Sequence, residues 1–419
     1  MKITVLASDH PRSLHGNANE LVLFSLIQGL VQEKHSVSWA YLGSREFDDS
    51  EIGDAEAELG ATFSKELSGT FEPETNRLLN WRVIRWIYNL LFLGEPVDKV
   101  PESTADLIRS TLSNHKSDLF ILFWDSWYEY ALDIETAKRS LGFLAKPRYD
   151  ASEVRVKTAR GLQALLKKIY MKPIFDRMRV NYYSRISKLS HCSNICALTA
   201  RQGCDEGVQT SYVPLLLKDF FSNNANVCLR NQSETAQIVI GFGNYEGLGT
   251  QIGIEYIISE VLPRLSKSKL NKDYKLNVFG KGLPAKTAQR LSRFPKVKIR
   301  GFVSDIDKEF SQSHAYLFCN NAGSYQGTYT RVSYALSSGI CIIGHSNLAL
   351  SVPELCSGKN CLLGNDPDEI TAHLISVIEN PNGQSEIHAS ARDVYLNSFS
   401  PRLVARKLLL NSALRSALT

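Results

Sequence analysis

No stretch of these 419 residues reaches the roughly 18 uncharged apolar residues that a membrane-spanning helix needs, so an integral membrane protein is not expected. The opening run from Met1 to Ala7 turns polar at Ser8-Asp9-His10; it is too short for a secretory signal and reads as a buried first strand. That strand lacks a Gly-x-Gly-x-x-Gly turn, which argues against dinucleotide oxidoreduction. Cysteine is sparse, at eight residues. Cys192 and Cys196 stand apart from any second close pair, and Cys319 and Cys341 sit inside apolar runs, so buried thiols in a reducing compartment are expected rather than a metal or a disulfide framework. With 26 Gly, 14 Pro and no low-complexity tract, a fibrous or disordered chain is excluded.

What is present is an ordinary globular composition, 43% hydrophobic and 22% charged, in a chain long enough for two domains. The net charge of +5 is concentrated: between Arg155 and Lys188 stand ten basic residues and the single acid Asp176, interleaved with Leu, Ile, Tyr and Phe. Such a segment suits either a solvated helical face or contact with an anionic bilayer surface. Neither an aromatic-studded sheet nor zinc-finger spacing accompanies it, so nucleic acid is not an expected partner.

The chain alternates strand and helix. Ile3 to Leu6 reads as a strand, followed by the polar turn His15-Gly16-Asn17-Ala18-Asn19, a helix with Leu23, Ile27 and Leu30 on one face, and a second strand from Val37 to Leu42. The apolar segment Asn80 to Leu93, too short to span a bilayer, reads as core in preference to an interfacial patch. Leu119 to Trp124 is a continuous apolar run of the parallel-strand kind, and Asp125 follows at its carboxyl end, where such sheets place ligands. Short strands are expected at 194–198 and 210–214, and a linker over 220–236. The pattern then restarts with strands at 236–242, 274–279, 297–302, 315–319 and 341–343, and a helix ending at Pro263. This predicts an N-terminal domain over 1–218 and a C-terminal domain over 236–398, both doubly wound α/β, with a final helix over 399–419 crossing back to the first.

In the second half, a strand ends at Cys319 and a small-residue loop with Gly327 and Thr328 leads to a helix that opens near Arg331 and stops at Gly339. Backbone N–H groups at a helix start favour a phosphate, and Arg331 adds a planar pair of donors.

Gly301-Phe302-Val303-Ser304-Asp305, together with the run from Gly327 through Thr328, Arg331, Tyr334, Ala335 and Gly339 to Cys341, resembles the donor domain of the family-4 type of retaining glycosyltransferases. That family has a Gly-Thr-Arg-x-Lys-x-x-Glu-Ala-x-Ala-x-Gly-x-Pro pattern, against which Arg331 stands for Lys, Tyr329 for Arg, Ser337 for Ala and Cys341 for Pro. Tyr334 occupies the place of the Glu that usually holds the donor ribose.

The resemblance implies a glycosyltransferase B-type fold, with two Rossmann-like domains facing a cleft. It implies retaining transfer of a sugar from a nucleotide donor, UDP- or GDP-linked, to a glycan or lipid-linked acceptor, without a metal or other cofactor. Arg331, with Lys281 beside Gly282 and Gly243, would serve the diphosphate; Gly16, Asn17, Gly327 and Thr328 would hold phosphate and sugar. Tyr334 and Glu354 would replace the missing ribose ligand, and Asp125 and His15 would meet acceptor or sugar hydroxyls. A cytoplasmic enzyme of polysaccharide assembly, peripheral on the inner face of the membrane, fits this picture. The Glu-to-Tyr departure keeps open a non-catalytic binding partner, and another nucleotide-sugar reaction such as epimerisation is a third reading.

Overall fold

The computed structural model of the protein describes residues 1–12, 17–43, 46–70, 102–123, 132–144, 189, 191–198, 200, 210–222, 233–320 and 329–416. Of the segments singled out above, 80–93 and 155–188 lie outside the described residues, as do His15, Gly16, Asp125, Gly327 and Thr328. The chain divides into two compact units, one of Met1–Leu198, Gln202–Lys218 and Pro401–Thr419, the other of Thr199–Arg201 and Asp219–Ser400.

The first unit is built on β1 (Lys2–Ala7), β2 (Ser36–Gly43), β3 (Thr62–Phe63), β4 (Gly69–Thr70), β5 (Leu119–Leu122), β6 (Ser140–Leu144), β7 (Asn194–Ala197) and β8 (Ser211–Tyr212). Their order is β3-β2-β1-β5-β6-β7-β8, with β4 on β2, and every pair is parallel. Strands buried on both faces need apolar or satisfied side chains on both: β5 reads Leu-Phe-Ile-Leu, and in β1 the buried polar residue Thr4 is hydrogen-bonded to Ser38 and Ser117. The strand β6 was not anticipated from sequence; its five residues, Ser-Leu-Gly-Phe-Leu, carry a polar residue and a glycine that weaken the apolar signal. In the structure Ser140 donates to the Thr136 carbonyl, which satisfies it in the core.

The second unit carries β9 (Ala236–Gly241), β10 (Tyr274–Phe279), β11 (Val297–Gly301), β12 (Ala315–Phe318), β13 (Cys341–His345) and β14 (Cys361–Gly364). Their order β11-β10-β9-β12-β13-β14 is again wholly parallel. The order reverses direction at β9, between β10 and β12, which is where open α/β sheets make their ligand crevice. One expectation is corrected here: the helix after β9 does not end at Pro263. It runs from Leu248 to Lys267, passing through a π-helical turn at Ile257–Val261 that widens the backbone just before the proline. A widened turn relieves the clash and the missing N–H that would otherwise stop the helix.

The helix Pro401–Ser416 belongs to the first unit and packs on the helix Ala18–Gln32. A Cβ on Gly29 would stand 2.2 Å from the Pro401 carbonyl oxygen, so glycine is what lets these two backbones meet. Glu33 closes the contact by accepting from Arg402 and Arg406, at 2.7 and 2.8 Å, and the two cations hold its carboxyl down at about 2. Among the described residues, no helix is long and apolar enough to cross a membrane.

Candidate functional site

The strongest concentration of unusual chemistry lies at the carboxyl ends of β9, β10 and β12, within the second unit. The helix Thr330–Ser337 starts at Tyr329 without a side-chain cap and has no acid in its first turn. The helix beginning at Leu248 starts at Gly247, which has no side chain to cap with. Both N-termini therefore present positive dipole ends that no carboxylate of their own neutralises.

Arg331 joins these two helix starts. Its Nη1 donates to Thr250 Oγ1 at 2.5 Å, in the first turn of the Leu248 helix, and its Nη2 donates to the Asn244 carbonyl at 3.1 Å. The guanidinium lies 5.5 Å from the centroid of the Phe242 ring, a cation–π contact that also fixes its plane. It is half-buried, held by partners on three sides. Gly243 forms the floor: its φ of 89° is left-handed, and a Cβ there would come within 3.1 Å of Arg331 Nη2.

The turn after β10 interlocks with this one. Lys281 N–H donates to the Gly243 carbonyl and Tyr245 N–H to the Lys281 carbonyl, both at 3.0 Å. Gly280, at φ 133°, abuts the same peptide so closely that a Cβ would fall 2.0 Å from the Gly243 oxygen. Lys281 itself is exposed at this edge. The structure thus brings Arg331, Gly243, Lys281 and Gly282 together. Glu354 is half-buried in the turn after the helix Asn347–Ser351, its carbonyl accepting from Asn360. His345 ends β13 and accepts the Asn347 N–H on Nδ1; burial pushes its pKa below the usual imidazole range.

Two candidates have structural employment that their sequence context did not show. The Asn17 side chain caps the helix Ala18–Gln32, accepting from the Asn19 and Glu20 N–H groups while Glu20 reaches back to the Asn17 N–H. Tyr334 is 8% exposed and sits among Phe220, Phe221, Phe242 and Phe310, ring centroids 5.0 to 5.7 Å away. Its hydroxyl donates to Asp307 Oδ1. Burial, reinforced by the Asp307 charge, drives the phenol well above its ordinary pKa, so it is a donor and never a charged acceptor.

Thr250 and Asp307 went unread in the sequence, and Phe242 and Asn244 were read only as parts of a glycine turn. Each becomes part of the site through a partner 27 to 89 positions away. The Gly-Phe-Gly and Gly-Lys-Gly turns were the available signal.

The glycine turns, the uncapped helix starts and the bound arginine fall inside residues 236–380, the segment matched by the family model described as glycosyl transferases group 1. The chain resembles the group 1 glycosyl transferases. No curated protein matches the sequence. Among solved structures, a glycosyltransferase from Rickettsia africae ESF-5 aligns with a TM-score of 0.60 at 11% identity, covering 100% of this chain and 99% of that one. Anabaena HepE, solved in complex with UDP-glucose, aligns at 0.56 and 12% identity over 99% of both chains. S. aureus TarM, solved with fondaparinux, alpha-GlcNAc-glycerol and UDP, aligns at 0.60 and 10% identity, covering 98% of this chain and 99% of that one. At such identities the likeness establishes architecture: two doubly wound α/β domains of the glycosyltransferase B-type fold.

Proposed function

We propose that the chain moves a sugar from a nucleoside diphosphate sugar to a hydroxyl of a glycan or lipid-linked acceptor, with retention at the anomeric carbon. The observation that carries this reading is Arg331, fixed by Thr250, Asn244 and Phe242 between two helix N-termini that lack side-chain caps. As the bond between the anomeric carbon and the phosphate oxygen breaks, negative charge gathers on the departing diphosphate and positive charge on the sugar. The acceptor oxygen bonds to the anomeric carbon, and its proton passes to the leaving phosphate. A guanidinium already oriented by other contacts stabilises that charge without reorganising at the moment of reaction. Lys281 supplies a second, exposed cation at the same edge.

The UDP and UDP-glucose complexes of HepE and the UDP complex of TarM support a uridine-linked donor, with guanosine as the other choice. Gly16, Gly327 and Thr328 are assigned to phosphate and sugar, His15 and Asp125 to acceptor or sugar hydroxyls, and the Tyr334 position to the ribose end of the donor. The basic segment 155–188 supports an acceptor presented at an anionic membrane surface, with the enzyme on its cytoplasmic side.

One observation favours a second reading, a non-catalytic binding partner: a buried tyrosine committed to Asp307 stands where the family has its ribose-binding Glu. Calorimetric titration with nucleoside diphosphates and their sugars, with Arg331→Ala as control, separates the two. Micromolar binding lost in the variant supports transfer; no binding by the wild type supports the partner.

A further inference from the structure

We propose that Asp307 is the carboxylate that accepts the vicinal ribose hydroxyls of the donor nucleoside, with Tyr334 as its positioning residue. This rests on the nucleotide-sugar reading above and concerns the nucleoside half of the same site.

Arg331 and Tyr334 are three residues apart on one helix, so their side chains leave the same face with Cβ atoms about 5–6 Å apart. Phe242 lies against both, 5.5 Å from the guanidinium and 5.7 Å from the Tyr334 ring. A fixed cation and the Tyr334 ring thus lie against one aromatic ring, and the Tyr334 hydroxyl carries the line on to the Asp307 carboxylate. In a nucleoside diphosphate the phosphates and the ribose diol are likewise neighbours, joined through the C5′ methylene and the C4′ ring carbon. An acceptor-only carboxylate would repel the phosphates but matches two vicinal O–H donors, and its two oxygens together offer about four lone-pair sites, one of which Tyr334 uses.

Position and orientation are both determined. Asp307 is in the first turn of the helix Ile306–Ser311, where the positive dipole end favours its charge, and Asp305 caps that helix by accepting the Lys308 N–H at 2.9 Å. Asp307 is half-buried, not enclosed. Tyr334 is kept protonated by its surroundings, so it always offers its proton to Asp307 and holds one carboxylate oxygen in place. The tyrosine therefore does not imitate a glutamate; it presents a carboxylate carried by another element.

The test is a calorimetric titration of the full chain against ribonucleoside diphosphates of uridine, guanosine, adenosine and cytidine, then the best of these against its 2′,3′-dideoxy counterpart. The wild type should prefer the ribose form by about tenfold or more, as expected when a site built for hydroxyls meets an analogue lacking them. Asp307→Asn should abolish that preference while leaving dideoxy affinity intact, which also reports a folded site. Asp307→Glu should keep part of the preference, and Tyr334→Phe should reduce it without removing it. A wild-type ratio near one, an unchanged ratio in Asp307→Asn, or equal loss of both ligands there overturns the assignment of Asp307. An unchanged ratio in Tyr334→Phe overturns the positioning role. If the wild type binds no ribonucleoside diphosphate, the nucleotide-sugar reading falls and takes this one with it.

Discussion

The two units share a parallel sheet and a helix springing from the carboxyl end of the first strand, yet they treat the start of that helix in opposite ways. In the first unit Asn17 and Glu20 satisfy the free N–H groups and set a carboxylate in the first turn. In the second, the helix after β9 starts at a bare glycine and faces an arginine brought from another helix. A helix N-terminus attracts an anion only while its donors and its dipole are unspent. On the function proposed above, the second edge, with its donors and dipole unspent, is the one that suits the diphosphate.

The largest effect should come from removing the arginine. Arg331→Ala is expected to weaken nucleotide binding or turnover by roughly a hundredfold or more, the scale seen when a preorganised charge-stabilising donor is deleted. Gly243→Ala attacks the same site from below. Its left-handed backbone and its 3.1 Å approach to Arg331 predict about tenfold weaker binding in calorimetry together with a loss of about 1 kcal/mol in urea unfolding. The first unit should respond in the complementary manner. Asn17→Ala should cost about 1 kcal/mol of stability in the same unfolding experiment and leave nucleotide affinity unchanged. If it weakened binding as Arg331→Ala does, the contrast between the two edges would collapse.

The smallest effect concerns pH. Glu33 titrates lower in the folded protein, at about 2, than an ordinary glutamate, because Arg406 and Arg402 bind its charged form. Its contribution is therefore complete above the ordinary carboxyl range and fades as pH falls through about 2. Glu33→Gln should unfold more readily than the wild type at pH 7, and the difference should shrink in acid, as thermal melts at pH 7 and pH 2.5 would show.

Both sheets were legible in the sequence because a doubly covered strand is mostly apolar on both faces, as the Ile, Val, Leu and Phe residues of β1, β5, β9 and β13 are. β6 escaped because Ser140 is satisfied by a carbonyl one helical turn earlier, a bond that leaves no trace in hydropathy. The glycine turns were legible for a similar steric reason, and Arg331 because its position near a helix start is a local fact. What surrounds Arg331 was not. Thr250 and Asn244 lie 81 and 87 positions away, and only the order of the strands brings them to it. Tyr334 illustrates the limit of reading by motif: its place in the pattern suggested a contact with the ligand, whereas its neighbours show a donor buried in aromatics and turned toward Asp307.

The close meeting of Gly29 with Pro401 has a consequence for how the protein is made. The helix Ala18–Gln32 leaves the ribosome well before the helix that covers its glycine, which lies more than 360 residues further along the chain. At about 5–20 residues per second, its apolar face waits on the order of tens of seconds while the whole of Asp219–Ser400 emerges and folds. During that interval the nascent first unit presents an open seam, a natural place for a chaperone to hold and for a newly made neighbour to stick.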